Sequence, residues 1–194
     1  MMTRKRVAVL ISGRGTNLQA LLDAKQDAYD IRLVVSNVPE AGGLERARAA
    51  GVEAITLDHR SYGKNREAFE RDLDALLVER NIDIVALAGF MRVLTPYFVN
   101  AWRGRLVNIH PSLLPKYPGV NTHARALEAG EAEHGCTVHL VVEEVDSGEI
   151  LGQAKMPILP DDTPETLAER VLALEHELYP RVLAQFARSM GTGR

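Results

Sequence analysis

The residues best equipped for chemistry lie in Arg105-Leu106-Val107-Asn108-Ile109-His110, which ends at Pro111. Asn108 and His110 are two apart, so on an extended backbone they face the same side. Pro111 biases His110 towards an extended conformation and ends a regular ladder. An amide and an imidazole thus emerge together where a strand stops, and in open α/β sheets ligands bind at the carboxyl edge. A third group, Asp146, sits in Val142-Glu143-Glu144-Val145-Asp146-Ser147-Gly148. Asp-Ser-Gly is also ordinary turn composition, so a chemical role requires Asp146 to meet His110 across a cleft. A carboxylate about 4 Å away favours imidazolium by up to roughly a few kcal/mol at an effective dielectric of about 20. A histidine so placed can be protonated near neutral pH. An amide, an imidazole and a carboxylate, without metal or covalent nucleophile, suit direct attack on a carbonyl, with donors stabilising a tetrahedral oxyanion.

A second signal is Ile11-Ser12-Gly13-Arg14-Gly15-Thr16-Asn17. An apolar strand ends there and a helix begins, and free N–H groups at a helix start attract phosphate. Glycine lets the backbone approach closely. A dinucleotide fingerprint needs a third glycine, but position 18 is Leu18. It also needs an acidic residue at the end of the second strand, where Ser36-Asn37 stand instead. A single phosphate is therefore favoured, with Gly15, Thr16 and Asn17 as donors. The plain alternative is a βα turn with Thr16 or Asn17 as N-cap.

Other chemistries recede. The 194 residues carry 23 Lys+Arg against 26 Asp+Glu, a net charge of −3, which opposes a broad nucleic-acid footprint. One cysteine, Cys136, excludes an intrachain disulfide and a multi-cysteine zinc site. It opens a strand without a nucleophile signature, and no Gly-x-Ser-x-Gly elbow is present. His134 and His139, five apart on an extended segment, fall on opposite faces, so no metal is expected. His59, His123 and His176 are isolated unless the fold gathers them. The basic N-terminus leads into an apolar run of five residues, too short for a secretory signal. No apolar stretch of 18 residues exists to span a membrane. A cytoplasmic protein is expected.

The elements that must position these groups are short apolar runs alternating with amphipathic stretches. Strands are predicted at 6–11, 31–35, 53–57, 82–88 and 105–110, with two late ones at 137–143 and 150–158. Helices are predicted at 16–26, 42–50, 65–80, 123–129 and 164–189. Gly51 is a C-cap for the second helix. Phe69, Leu73, Leu76 and Leu77 form the stripe of the third. Thr163 and Pro164 open the last helix, and Pro180 should kink it. The order predicts an α/β, Rossmann-like fold: a mostly parallel sheet with helices on both faces and an antiparallel addition near the C-terminal half. A chain of this length can bury roughly 70% of its unfolded surface as a single domain.

These residues resemble the phosphoribosylglycinamide formyltransferase family. The likeness lies in Val9-Leu10-Ile11-Ser12-Gly13-Arg14-Gly15-Thr16-Asn17-Leu18-Gln19, Leu44-Glu45-Arg46-Ala47-Arg48 and Leu87-Ala88-Gly89-Phe90-Met91-Arg92-Val93-Leu94. It continues in Asn108-Ile109-His110-Pro111-Ser112-Leu113-Leu114-Pro115-Lys116-Tyr117-Pro118-Gly119 and Glu175-His176-Glu177-Leu178-Tyr179-Pro180. The resemblance implies that the amine of glycinamide ribonucleotide attacks the formyl carbon of 10-formyltetrahydrofolate, a cosubstrate, in purine biosynthesis. It implies that Asn108 and His110 stabilise the oxyanion, that His110 is the acid, and that Asp146 sustains the charged His and helps deprotonate the amine through water. It gives the phosphate to Gly15, Thr16 and Asn17, and the ribose hydroxyls to Glu175. It gives the folate to Arg66, Met91, Arg92, Val93, Leu94 and the loop Val142, Glu143, Glu144, Val145, Asp146. One domain over 1–194 is implied, with a phosphate-binding half at 1–100 and a catalytic and folate-binding half at 101–194. Partners are small molecules, without nucleic acid or membrane, for a monomer or homodimer. Arg14 and the Glu143-Glu144-Val145 stretch depart from the family pattern.

Three rivals share parts of this pattern. Formyltetrahydrofolate deformylase uses the same triad with water as acceptor, but its family adds an N-terminal regulatory domain for which no room is expected here. Methionyl-tRNA formyltransferase would want basic surface and a C-terminal domain. A non-catalytic nucleotide-binding module would keep the phosphate loop without needing Asn108, His110 and Asp146 together.

Overall fold

The structure, a computed structural model, describes residues 4–191. Its strands are β1 (Lys5–Ile11), β2 (Tyr29–Ser36), β3 (Glu53–Thr56), β4 (Ile84–Leu87), β5 (Leu106–His110), β6 (Glu133–Leu140) and β7 (Ile150–Pro157). They form one sheet in the order β3-β2-β1-β4-β5-β6-β7. The pairings from β3 through β5 are parallel, and β6 and β7 add antiparallel at one side. The fold is thus the mostly parallel, Rossmann-like sheet with an antiparallel addition that the sequence predicts. From β1 the chain proceeds to β2 on one side, and it returns to β4 on the other. That reversal opens a crevice outside the carboxyl ends of β1 and β4.

The helices are α1 (Thr16–Asp23), α2 (Gly43–Ala49), α3 (Arg66–Glu79), α4 (Pro96–Ala101), α5 (Thr122–Glu128) and α6 (Pro164–Ser189). They cover both sheet faces because the inner strands are apolar on both. On one face Val9, Ile11, Val107 and Val138 pack with Leu18 and Leu21 of α1 and Leu167, Val171, Leu178 and Val182 of α6. On the other, Leu10, Leu33, Val85 and Leu106 pack with Phe69, Leu73 and Leu77 of α3 and Phe98 and Trp102 near α4. Each fully buried side chain of this size contributes about 1.5–3 kcal/mol.

Differences from the predicted elements have local causes. α1 stops at Asp23 rather than 26, because the apolar spacing ends at Leu22 and Lys25 and Gln26 are polar. β6 spans Glu133–Leu140 rather than 137–143, since β7 pairs along it from Glu133↔Pro157 onward. Gly135 permits that pairing: a Cβ there would lie 1.9 Å from the Ala154 carbonyl oxygen. α4 and a 3-10 turn at His59–Tyr62 are too short to show a period. α6 starts where predicted, with the Thr163 side chain accepting from Thr166 N–H and Pro164 in the first turn, and it continues past Pro180.

Candidate active site

β5 delivers Asn108 and His110 to the face of the sheet that packs on α3 and α4, at its carboxyl edge. The His110 side chain is buried. Its Nε2 lies 2.9 Å from the Tyr117 carbonyl oxygen. A carbonyl only accepts, so Nε2 carries a proton. The other nitrogen, Nδ1, lies 3.5 Å from Asp146 Oδ2, which also accepts from Gly119 N–H at 2.8 Å. A neutral ring turns a bare lone pair to that carboxylate, whereas a doubly protonated ring satisfies both neighbours. Asp146 adopts φ +53° in the 141–149 connection. That connection folds back closely: a Cβ on Gly148 would meet the Leu140 carbonyl oxygen at 1.7 Å. The proline-rich loop at 111–119 is pinned from below. Thr137 Oγ1 donates to Ser112 O at 2.7 Å and accepts from Leu114 N–H at 3.1 Å, and Ser112 Oγ donates to Lys116 O at 2.7 Å. The Leu114–Pro115 peptide is cis.

His139 joins this group, and sequence reasoning missed it. In the antiparallel ladder it stands opposite Asn108, and cross-strand partners on one face touch. Its Nδ1 donates to the Leu140 carbonyl at 2.9 Å. In a neutral ring Nε2 is then an acceptor, and it lies 3.3 Å from Asn108 Nδ2. That contact orients the Asn108 amide. Nε2 is also 3.7 Å from Asp146 Oδ1, within ion-pair reach. Burial nevertheless holds the His139 pKa below its ordinary value, outweighing the Leu140 carbonyl and Asp146, which raise it. The neutral form also agrees with the amide contact. Only a register for residues 137–143 against 105–110 could have revealed the pairing from sequence.

Beside this group, residues 12–17 with Ala88, Gly89 and Met91 line a cavity of about 240 Å³. Gly15, at φ +73°, caps α1; a Cβ on it would lie 2.6 Å from Gly43 Cα. The Gly13 carbonyl accepts from Gly43 N–H at 3.0 Å, and the Arg14 carbonyl from Arg46 Nε at 2.8 Å. With those carbonyls held against α2, successive N–H groups around an αL residue form an anion-binding concavity. Neither Thr16 nor Asn17 caps α1 through its side chain. Asn17 Nδ2 instead donates to Glu175 Oε2 at 2.7 Å, and Asn17 Oδ1 is buried without a partner. Glu175 is buried too, and burial raises its carboxyl pKa against the lowering effect of Asn17. The unpartnered Asn17 Oδ1, adjacent to the Glu175 carboxyl, suits the hydroxyls of a polyol.

A second cavity of about 170 Å³ lies on the other side of residues 88–94. Arg92, Val93, Leu94, Val142, Glu143, Val145 and Asp146 line it, as do Asn108 and His139. Met91, expected there, lines the first cavity instead. Glu144 lines neither. Nor does Arg66, whose Nη1 donates to the Val93 carbonyl at 3.3 Å. Arg92 sits over the Phe69 ring at 5.1 Å, and Glu143 accepts from Asn100 Nδ2 at 2.8 Å.

The remaining histidines and the cysteine fall elsewhere. His123 is not isolated: its Nδ1 lies 3.2 Å from His134 Nε2, and burial lowers both pKa values, His134 to about 4. Cys136 is fully buried, and burial pushes its thiol up to about 12, which leaves it unreactive. Among the described residues, no group of three or more His, Cys, Asp or Glu could hold a metal ion.

Comparison with known proteins gives a consistent picture. The formyl transferase family profile matches residues 5–183. Over 186 residues the chain is 53% identical to the trifunctional purine biosynthetic protein adenosine-3 of Drosophila melanogaster, covering 93% of this chain but 14% of that protein. Over 184 residues it is 48% identical to phosphoribosylglycinamide formyltransferase of Escherichia coli (strain K12), covering 93% and 86%. The solved phosphoribosylglycinamide formyltransferase of Coxiella burnetii, in complex with CHES, superposes with a TM-score of 0.91 at 48% identity, covering 96% and 89%. That of Brucella melitensis gives 0.90 at 46%, covering 99% and 98%.

Proposed function

The chain belongs to the formyl transferase family, among the phosphoribosylglycinamide formyltransferases, and we propose that it moves the formyl group of 10-formyltetrahydrofolate to the amine of glycinamide ribonucleotide in purine biosynthesis. The observation that carries this reading is the meeting of Asp146 with the buried His110 imidazole at 3.5 Å, where Asp146 and Asn108 line one cavity with Arg92, Val93 and Leu94 and the glycine loop lines another across residues 88–94.

In this reading the ribonucleotide phosphate rests on the N–H groups of Gly15, Thr16 and Asn17, and its ribose hydroxyls donate to Glu175. The folate occupies the second cavity against Arg92, Val93, Leu94, Val142, Glu143 and Val145, with Arg66 holding the backbone at Val93. Met91 contributes through its backbone, at the boundary. The N-terminal half thus supplies the phosphate seat, and the C-terminal half the catalytic group and part of the folate slot. The amine lone pair attacks the formyl carbon, and the carbonyl π pair moves to oxygen. Asn108 Nδ2–H and protonated His110 stabilise that oxyanion. A water passes the surplus proton of the amine to Asp146. When the tetrahedral centre collapses, the C–N bond to the folate breaks, His110 donates its proton to the departing nitrogen, and Asp146 passes the proton it received on to His110. His139 acts by positioning Asn108.

Both substrates in this reading are small soluble molecules, in keeping with a cytoplasmic enzyme. No described helix is long and apolar enough to cross a membrane. The test is to incubate the protein with 10-formyltetrahydrofolate, with and without glycinamide ribonucleotide. Formyl transfer that requires the ribonucleotide is expected. Folate turnover without it would identify a hydrolase, and no turnover in either case a binding module.

A further inference from the structure

Residues 88–94 form the wall between the two cavities. Gly89 and Met91 face the phosphate side, while Phe90, Arg92 and Val93 face the other. A segment that lines two sites transmits position from one to the other only if something fixes it in a single place. Its far end is fixed. Buried Glu70 accepts from Thr95 N–H at 2.8 Å and from the Thr95 hydroxyl, and Arg66 donates to the Val93 carbonyl.

Its near end is held by one side chain, Ser12. The Ser12 N–H donates to the Gly89 carbonyl at 3.1 Å. The Ser12 hydroxyl accepts from Met91 N–H at 2.8 Å and donates to Asn37 Oδ1 at 2.5 Å. Asn37 is buried at the end of β2, so the hydroxyl has a fixed acceptor and its lone pair is aimed at the wall. Ser12 also begins the phosphate loop and lines its cavity. The next residue, Gly13, is tied through its carbonyl to α2.

We propose that Ser12 couples the two sites: a phosphate seated on residues 13–17 immobilises Ser12, which through Met91 N–H holds the wall where the folate needs it. This rests on the functional reading above and adds a regulatory property to it. Coupling of binding is reciprocal, so each ligand raises the affinity of the other by the same factor. Ser12 is a positioning residue. Losing one neutral hydrogen bond corresponds to a factor of about 2–12 in an equilibrium constant, which bounds the effect expected of the hydroxyl.

Calorimetric titration of tetrahydrofolate, which has no formyl group to transfer, measures the coupling with and without saturating glycinamide ribonucleotide. The ribonucleotide should tighten folate binding to the wild-type protein by at least about 3-fold, inside that range. In Ser12→Ala the ratio should fall towards one, and Ser12→Thr, which keeps a hydroxyl, should preserve it. An independent measurement needs no variant: the ribonucleotide alone should slow amide exchange at Met91 in the wild-type protein. A wild-type ratio of one, a ratio unchanged in Ser12→Ala, or unaltered Met91 exchange overturns the proposal. If wild-type turnover persists alongside any of these, the enzymatic reading stands and only the coupling falls. Absence of both turnover and ribonucleotide binding removes the two together.

Discussion

Replacing His139 by leucine tests whether the orientation of one amide limits the chemistry. The imidazole is buried between Asn108 and Asp146, with Nε2 3.3 Å from Asn108 Nδ2. Leucine fills most of that volume but accepts nothing. The lost hydrogen bond is worth about 1 kcal/mol, and up to about 3 kcal/mol if the half-buried Asn108 amide N–H finds no other partner. Part of this is recovered if the Asn108 amide rotates towards the cavity, which misdirects the donor meant for the oxyanion. With a tenfold change in rate for each 1.36 kcal/mol, kcat should fall by about 10- to 100-fold. KM for either substrate should change little, because the contact matters most when charge develops on the formyl oxygen. The assay is steady-state formyl transfer with each substrate varied at saturation of the other. His139→Gln offers a carbonyl acceptor near the former Nε2 and should restore part of the rate. In an Asn108→Ala background, His139→Leu should add almost nothing, since the two act as a unit. A His139→Leu enzyme with kcat within twofold of wild type would refute the reasoning.

Other outcomes follow from the same geometry. His110→Ala should lower kcat by at least about 100-fold, and Asp146→Asn should lower kcat and alter its pH profile; wild-type rates across pH would end both roles. Glu175→Gln should raise KM for the ribonucleotide. Because burial raises the folded pKa of Glu175, the folded state binds the extra proton and stability falls as pH rises through the window above about 4.3. The Gln variant should therefore unfold at higher denaturant than wild type at neutral pH, and an unchanged or lower midpoint contradicts this. His134 titrates in the opposite sense: its folded pKa of about 4 lies below the unfolded value, so the unfolded state binds more protons in between. Its contribution is complete above about pH 6.5 and is lost on acidification towards pH 4, at up to about 1.4 kcal/mol per pH unit. His134→Gln should flatten that part of the stability curve, measured by urea unfolding. Gly135→Ala should destabilise by several kcal/mol, about the 1–3 kcal/mol of an overpacked core or more, because the obstructing atom is the Ala154 backbone oxygen; a melt unchanged within a degree would exclude that contact.

Features that depend on neighbours in the chain were readable from the sequence. The alternation at 106–110 put Asn108 and His110 on one face and at one edge, and the stripe and caps of the last helix marked Pro164–Ser189. Motif order carried the family resemblance across nearly the whole chain, and the alternation of apolar runs with amphipathic stretches implied the mostly parallel sheet. Such properties follow from periods of two or 3.6 residues, set by backbone geometry wherever the segment lies. The pairing of His139 with Asn108, the contact of Asn17 with Glu175 and the return of Asp146 to His110 depend instead on how segments separated by 31, 158 and 36 positions are brought together. No local pattern encodes those distances. They are set by ladder register, by glycines that admit a backbone where no Cβ fits, and by burial of both sheet faces. The division of residues 88–94 between two cavities is of the same kind, because a wall exists only once there is space on both sides of it.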